Sequence, residues 1–153
     1  MAARQEQIDL LVDAAQEGDI DAFTHVLLAN EEVIDGKDEE RGATALMAAA
    51  HNGHIDIVQL LLEHNAVVDL QTNDGYTALM AAAQEGHIAV VQLLLEHHAD
   101  IAPKTTDGRT ALMVAVKNDK LGAARVLMEH KALLLSDDAA LAEYSTKYSE
   151  YPP

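Results

Sequence analysis

Apolar and polar positions along this chain follow one pattern that returns every 33 residues. In its clearest copy, Thr77 follows a tight turn and precedes residues 78–84, which are almost wholly apolar. Gly86 interrupts the pattern, and a stretch with helical spacing of apolar residues comes next. We therefore expect Thr77 to cap a short buried helix and Gly86 to end it. A second, amphipathic helix is expected to follow and to bury Ile88, Val91, Leu94 and Leu95.

The motif Gly-x-Thr-Ala-Leu-Met opens three copies of this pattern, at Gly42, Gly75 and Gly108. The first two copies align without a gap and are identical at 21 of 33 positions. A divergent copy around Gly18 precedes them, and its connection to the next copy, at residues 30–41, is longer by two residues. A unit of this size cannot bury its own apolar face, so the units are expected to stack into an array. The sequence predicts four repeats, at about residues 10–38, 39–71, 72–104 and 105–137.

The recurring positions resemble the ankyrin repeat, whose pattern is close to D-G-x-T-P-L-H-x-A-A-x-x-G-H-x-x-x-V-x-x-L-L-x-x-G-A-D. In one copy the matching residues are Asp74, Gly75, Thr77, Leu79, Ala82, Ala83, Gly86, His87, Val91, Leu94, Leu95, Ala99 and Asp100. The resemblance covers about residues 10–135. It implies an all-α solenoid of stacked antiparallel helix pairs, with β-hairpin-like fingers projecting from them. Residues 1–137 are thus expected to form one ankyrin repeat domain.

The chain departs from the ankyrin pattern at helix starts and helix ends. Each T-P-L-H motif is T-A-L-M here, so alanine replaces the helix-starting proline. Methionine replaces the histidine, and a row of buried, adaptable thioethers is expected at Met47, Met80 and Met113. The glycine after each second helix is replaced in turn by Asn65, His98 and Lys131. Of these, lysine is the least suited to the left-handed conformation that ends a helix.

Residues 138–153 lie outside the repeat pattern. Residues 138–148 are predicted to form a short C-terminal capping helix, with a looser tail after it. The apolar stripe of that helix would consist of Leu141, Tyr144 and Tyr148. It would cover a face of the last repeat that includes Val126 and Leu127. A second interpretation is that the tyrosines form a linear motif for a partner or a tyrosine kinase.

Composition narrows the setting in which the chain works. Hydrophobic residues make up 49 % of it and aromatic residues 3 %, which suits closely packed helices. There is no cysteine, so disulfides and cysteine-ligated zinc are excluded, and a cytoplasmic location is expected, with a nuclear one left open. The first residues lack the pattern of a signal peptide, and no uncharged apolar run is long enough for a membrane span.

The net charge of −16 is concentrated toward the N-terminus. Residues 1–41 carry 12 acidic and three basic side chains, giving −9, and residues 42–107 carry eight and one, giving −7. Residues 108–153 balance six against six. A negative field disfavours nucleic acid and anionic membranes, and it favours a basic or neutral protein partner. The alternative is that the acidic residues only keep the surface soluble.

The eight histidines do not form a recognisable metal-binding pattern. The resemblance assigns His54 and His87 to positions where histidine caps and braces helices. His64, His97 and His130 recur one period apart, and stacked helices are separated by about 8–10 Å, which is too far for ligands of one ion. No metal site, cofactor or catalytic residue is predicted, and the chain is not expected to be an enzyme.

The positions that the repeat leaves free are the candidates for binding. In the ankyrin family, partners are usually held by the finger tips and the inner helix face. The resemblance therefore implies a monomeric, non-enzymatic protein–protein interaction module. The candidate contact residues are Asp38, Glu40, Arg41, His51, Asn52, Gln71, Asn73, Asp74, Tyr76, Gln84, Glu85, Lys104, Thr106, Asp107, Arg109, Lys117 and Asn118. Tyr76, the one tyrosine within the repeats, is a suitable anchor.

Three other functions are compatible with a chain of this kind. It could be a dedicated stoichiometric inhibitor or an assembly chaperone of a single partner. It could be a host-directed effector. An enzyme subunit is the alternative from a different class, and the sequence disfavours it because no nucleophile–base pair has recognisable spacing.

Overall fold

The computed structural model describes the backbone of residues 2–134 and the side chains of residues 2–131. Within this range the chain forms eight α-helices and no β-strand. The helices are α1 (Ala2–Glu17), α2 (Ile20–Ala29), α3 (Ala45–Asn52), α4 (Ile55–Glu63), α5 (Ala78–Glu85), α6 (Ile88–Glu96), α7 (Ala111–Lys117) and α8 (Leu121–Leu134). A short 3₁₀ helix, Glu31–Val33, follows α2. The predicted capping helix at residues 138–148 lies outside the described residues.

The helices form two stacked rows. The inner helices α1, α3, α5 and α7 pack in succession, each against the next. Each inner helix also packs against the outer helix that follows it in the chain, so that α1 pairs with α2, α3 with α4, α5 with α6 and α7 with α8. Each pair is joined by a short turn, as a helix hairpin requires. The predicted all-α array of stacked helix pairs is therefore confirmed.

Threonine caps begin three of the inner helices, as the sequence predicts. The hydroxyls of Thr44, Thr77 and Thr110 each accept a hydrogen bond from the backbone amide three residues later, at 3.4, 3.2 and 3.3 Å. These bonds satisfy amides that would otherwise lack a partner at the helix start. In α3 the amide of Thr44 also donates to the Sδ of Met47 at 3.5 Å. Methionine thus completes a capping box, a role in which glutamate or glutamine is usual.

Residues with left-handed backbone end the helices where the sequence predicts. Gly53 and Gly86 end α3 and α5 with φ of +73° and +77°. After α4 and α6, Asn65 and His98 adopt φ of +60° and +64°. Lys131 does not end its helix, because α8 continues to Leu134. The prediction that lysine is the poorest replacement for the terminal glycine is therefore confirmed.

The core runs along the whole stack, between the two rows of helices. Met47 and Met80 are buried and Met113 is partly buried, so the predicted row of methionines packs into it. The sequence placed Val126 and Leu127 on the end face of the last repeat, under the predicted cap at residues 138–148. Leu127 is 2 % exposed because it points into the core, and Val126 is partly buried beside it.

The burial predicted for one of the four apolar residues of the second helix was wrong. Ile88, expected in the core, is 42 % exposed, and Val90 is buried in its helix instead. Ile88 is the first residue of α6, and its side chain lies over Gly122 of the next repeat. A methyl group at Gly122 would lie 2.3 Å from the Cδ1 of Ile88. Ile88 therefore packs between repeats rather than within its own.

Candidate functional site

Three turns connect the helix pairs, and we call them finger 1 (residues 38–43), finger 2 (residues 72–76) and finger 3 (residues 105–109). A backbone hydrogen bond closes each of them. In finger 2 the amide of Thr72 donates to the carbonyl of Tyr76 at 2.9 Å. The fingers are therefore hairpin-like, as the resemblance implied, although no β-strand is present in the described residues.

Neighbouring fingers are joined by backbone hydrogen bonds. The amide of Asn73 donates to the carbonyl of Arg41 at 3.0 Å, and the amide of Thr106 donates to the carbonyl of Asp74 at 2.9 Å. Because these bonds use main-chain atoms, they hold the fingers in a row without engaging the side chains at their tips. The row lies beside the inner helices, and the two together form the candidate binding surface.

Two histidines join the inner helices of successive repeats. The Nε2 atom of His54 lies 3.0 Å from the carbonyl oxygen of Gln16 in α1, and that of His87 lies 2.9 Å from the carbonyl oxygen of His51 in α3. The bracing role that the resemblance implied is confirmed. The capping role is found at the end of the preceding inner helix, because Gln16 and His51 lie in the last turns of α1 and α3, and neither imidazole caps the start of its own helix. Each imidazole reaches back to the preceding repeat instead.

A groove of about 840 Å³ lies between the inner helices and fingers 1 and 2. Side chains of α1, α3 and α5 line it, so three repeats contribute to one site. Its apolar lining includes Val12, Met47, Ala48, Tyr76 and Ala81. Val12 and Met47 are buried, whereas the other three are partly exposed toward the groove. The two alanines leave room for a ligand above the inner helices.

Carboxylates dominate the polar lining of the groove. They belong to Asp9, Asp13, Asp38, Glu39, Glu40 and Asp74. Arg41 is the single lysine or arginine among the described residues that line it. The carboxylate of Asp38 accepts the backbone amides of Arg41 at 2.6 Å and Gly42 at 3.1 Å, so this residue also shapes finger 1.

A family model described as ankyrin repeats, in three copies, matches residues 11–105 and again residues 72–138. The two matches together span well over half of the chain. The chain belongs to the ankyrin repeat family. Ankyrin repeats are generally protein–protein interaction modules and typically non-enzymatic. The helix pairs and fingers described above are the units of that family.

The groove brings together about half of the contact residues that the ankyrin resemblance implied. Eight of the 17 line it, namely Asp38, Glu40, Arg41, His51, Asn52, Asp74, Tyr76 and Gln84. The other nine lie outside it, namely Gln71, Asn73, Glu85, Lys104, Thr106, Asp107, Arg109, Lys117 and Asn118. The groove is therefore formed by the first three repeats, and finger 3 does not line it.

Gln71 shows why some of the expected contacts lie outside the groove. Its Nε2 donates to the carbonyl of Gly75 at 2.9 Å and lies 3.4 Å from the carbonyl of Lys104 in the next repeat. Lys37, one repeat earlier, similarly donates from its Nζ to the carbonyl of Gln71 at 2.5 Å. These long side chains thus connect the bases of neighbouring fingers, which is a structural role.

The side chains of finger 3 are bonded to each other. The hydroxyl of Thr105 donates to the carboxylate of Asp107, and Arg109 Nη2 lies 2.7 Å from the same carboxylate. The Thr105 hydroxyl is the main cause of a lowered pKa of Asp107, and Arg109 lowers it further. Asp107 and Arg109 thus stabilise the finger in which they lie.

Eleven residues of the groove lining lie outside the predicted contact set, and four of them carry acidic or amide side chains: Asp9, Asp13, Gln16 and Glu39. The first three lie on α1, which begins at Ala2 and is twice the length of α3 and α5. Their spacing of three and four residues places them on one helix face, and this was the signal available in the sequence. The divergence of the first repeat hides this signal, because an atypical first repeat is typical of a cap.

The structure carries two further observations on other classes of site. Among the described residues, no helix combines the length and apolar character that crossing a membrane requires. The described part of the chain also holds no group of three or more histidine, aspartate or glutamate side chains placed to bind a metal ion.

Proposed function

We propose that this ankyrin repeat chain binds a protein partner in the groove, and on the finger tips and inner helices beside it, without catalysing a reaction. The observation that carries the proposal is the meeting of residues from three repeats in one groove of about 840 Å³. Several of these residues are at positions that the repeat does not need for its own packing. A site assembled from three repeats suits an extended protein surface.

The chemistry of the groove is that of a protein interface. Such interfaces combine an apolar centre with a polar rim, and large aromatic residues often anchor them. Here Tyr76 is partly exposed beside Ala48 and Ala81, and charged side chains surround them. The overall charge of −16 favours a partner with a basic surface, since opposite charges speed association.

Several biological roles are consistent with binding of this kind. A dedicated stoichiometric inhibitor and an assembly chaperone each hold a single partner, and a host-directed effector also acts by binding a protein. These roles stay alternatives within the proposal. A monomeric chain and a cytoplasmic setting are also part of it.

A pair of alanine-to-leucine variants tests the proposal. Ala81→Leu adds bulk inside the groove, whereas the matched control Ala89→Leu adds the same bulk to the exposed face of α6. Tagged wild-type and variant chains are used to capture proteins from cell lysate, and the captured proteins are compared by quantitative mass spectrometry. We expect a partner held by wild type and Ala89→Leu to be depleted about tenfold or more by Ala81→Leu, which corresponds to roughly 1.4 kcal/mol.

Melting temperatures show whether both variants keep the fold. A partner that binds Ala81→Leu as well as wild type, but is lost with Ala89→Leu, would place the binding surface on the outer helices. The proposal would then be wrong.

A further inference from the structure

The carboxylates of the groove are largely unpaired. Those of Asp13, Glu39, Glu40 and Asp74 make no hydrogen bond or ion pair within the described residues. The six carboxylates and the single guanidinium of Arg41 give the described lining a formal charge of −5. Like charges that line one groove repel one another. A bound cation would reduce this repulsion between the carboxylates.

A comparison across repeats shows that the fold does not require these acidic residues. Counting back five residues from the glycine that ends each inner helix, Asp13 corresponds to Ala48 and to Ala81. All three line the groove, so the position accepts a small neutral residue in the next two repeats. Asp13 also lies four residues after Asp9 on α1, and two like charges at that spacing destabilise a helix. The carboxylate is therefore placed at one end of the groove at a cost to stability.

Resting on the proposed function, we propose that the groove between α1 and fingers 1 and 2 receives an arginine- and lysine-rich segment of the protein partner. The cationic ends of such side chains would meet the carboxylates of α1 and finger 1. Their aliphatic stems would lie over Ala48 and Ala81, because long basic side chains bury their stems and keep their charged ends at polar groups.

The lining distinguishes this occupant from other candidates. Nucleic acid carries the same sign of charge as the groove and is repelled by it. An acidic segment is repelled for the same reason. A small polyamine shares the cationic chemistry but does not use a groove of this volume with an apolar lining from three repeats. A protein segment with basic side chains satisfies both the charge and the apolar lining.

The test uses a fluorescein-labelled peptide of alternating arginine and alanine, with a glutamine–alanine peptide as the uncharged reference, and follows binding by fluorescence anisotropy. The groove variant is the triple substitution Asp13→Asn, Glu39→Gln and Glu40→Gln. The control variant, with Asp56→Asn, Glu63→Gln and Glu96→Gln, removes the same charge from exposed residues of the outer helices. Both triple variants have the same net charge, so they differ in which three carboxylates are neutralised.

We expect the arginine peptide to bind the wild type and the control with similar affinity, and the groove variant about tenfold or more weakly. Raising the salt concentration should weaken binding to the wild type, since salt screens exposed charges. In amide NMR spectra, the peptide should shift the signals of α1 and finger 1. The glutamine peptide should not bind.

Three outcomes would overturn the inference. Equal losses for the two triples would show that net charge alone drives binding. An unchanged affinity of the groove variant would show that the carboxylates are not the site. Displacement of the peptide by spermine at matched charge concentration would point to a simple multivalent cation.

The lysate experiment is independent of the peptide experiment. A partner that is lost with Ala81→Leu but kept by the groove triple would support the proposed function and contradict the basic-segment inference.

Discussion

Three glycines with similar positive φ angles allow the bracing between repeats to be measured. Gly53, Gly86 and Gly108 have φ of +73°, +77° and +82°. A methyl group at Gly53 would lie 2.7 Å from the imidazole of His87, and one at Gly86 would lie 2.9 Å from the Cδ of Lys120. At Gly108 it would meet no atom of the described residues within 4 Å. Alanine substitutions at these positions are therefore expected to lose a similar free energy through backbone strain. They differ in whether a neighbouring side chain must also move, and in which one it is.

The shared cost is that of placing alanine in the left-handed region, about 1–2 kcal/mol. Gly53→Ala must in addition displace a rigid imidazole whose Nε2 is 2.9 Å from the carbonyl oxygen of His51. Losing that hydrogen bond costs about 0.5–1.5 kcal/mol more. Gly86→Ala meets the flexible stem of Lys120, which can rotate away. We expect losses of about 1.5–3.5 kcal/mol for Gly53→Ala, and about 1–2 kcal/mol for Gly86→Ala and Gly108→Ala.

Urea unfolding followed by far-UV circular dichroism measures these losses, and this probe suits a chain without tryptophan. The control repeats Gly53→Ala in a His87→Ala background, where no imidazole is left to displace. There the cost of Gly53→Ala should fall to that of Gly108→Ala. Equal losses for the three alanine variants, or no reduction in the His87→Ala background, would refute the idea that the imidazole occupies the space beside Gly53.

Three further predictions concern the core, finger 3 and the tail. Leu94→Ala should lower the free energy of unfolding by about 2–5 kcal/mol, because the side chain is fully buried. Leu28→Ala is the matched control, and since Leu28 is 66 % exposed, a loss as large as that of Leu94→Ala in urea unfolding would mean that the core is misassigned. Because the Thr105 hydroxyl lowers the pKa of Asp107, this carboxylate stabilises the fold above its unfolded-state pKa, and the contribution is lost as the pH falls through its lower folded-state pKa. Thr105→Val should therefore raise the pKa of Asp107 in an NMR titration, and an unchanged value would contradict the assigned cause. Deleting residues 139–153 should lower the melting temperature and promote self-association, if these residues cap the last repeat. An unchanged melting temperature with a truncated chain that is still monomeric in sedimentation would favour the linear-motif interpretation of the tyrosines.

The features that could be predicted from the sequence are those determined within a single repeat. A threonine cap such as that of Thr77, or a helix end such as Gly86, depends on residues three or four positions away along the chain. The period then requires stacking, because a single unit leaves its apolar face uncovered. The environment of Ile88 was not predictable in this way. It depends on Gly122 in the following repeat, and no pattern within α6 indicates that contact.

The candidate site was predicted only in part, because its extent depends on how the repeats are placed relative to one another. Free positions can be identified repeat by repeat, and eight of them do meet in the groove. Small rotations between successive repeats decide which fingers share a concavity, and these rotations accumulate along the stack. Finger 3 therefore contains residues that were predicted to contact a partner, although it does not line the groove. The contribution of α1 was not predicted, because its copy of the repeat diverges most from the pattern.

The contacts between repeats also explain how an exposed groove can be a well-ordered site. The hydrogen bond from Asn73 to Arg41 fixes finger 2 against finger 1, and the one between His87 and the carbonyl of His51 fixes α5 against α3. Each uses the main chain of the groove residue, so the side chain of Arg41 is left for a ligand. Binding then orders few further groups, and less affinity is lost to conformational entropy. A position such as Asp13 can change without weakening this framework, because no bond between the described repeats involves its side chain. The framework and the specificity of the groove can therefore vary independently.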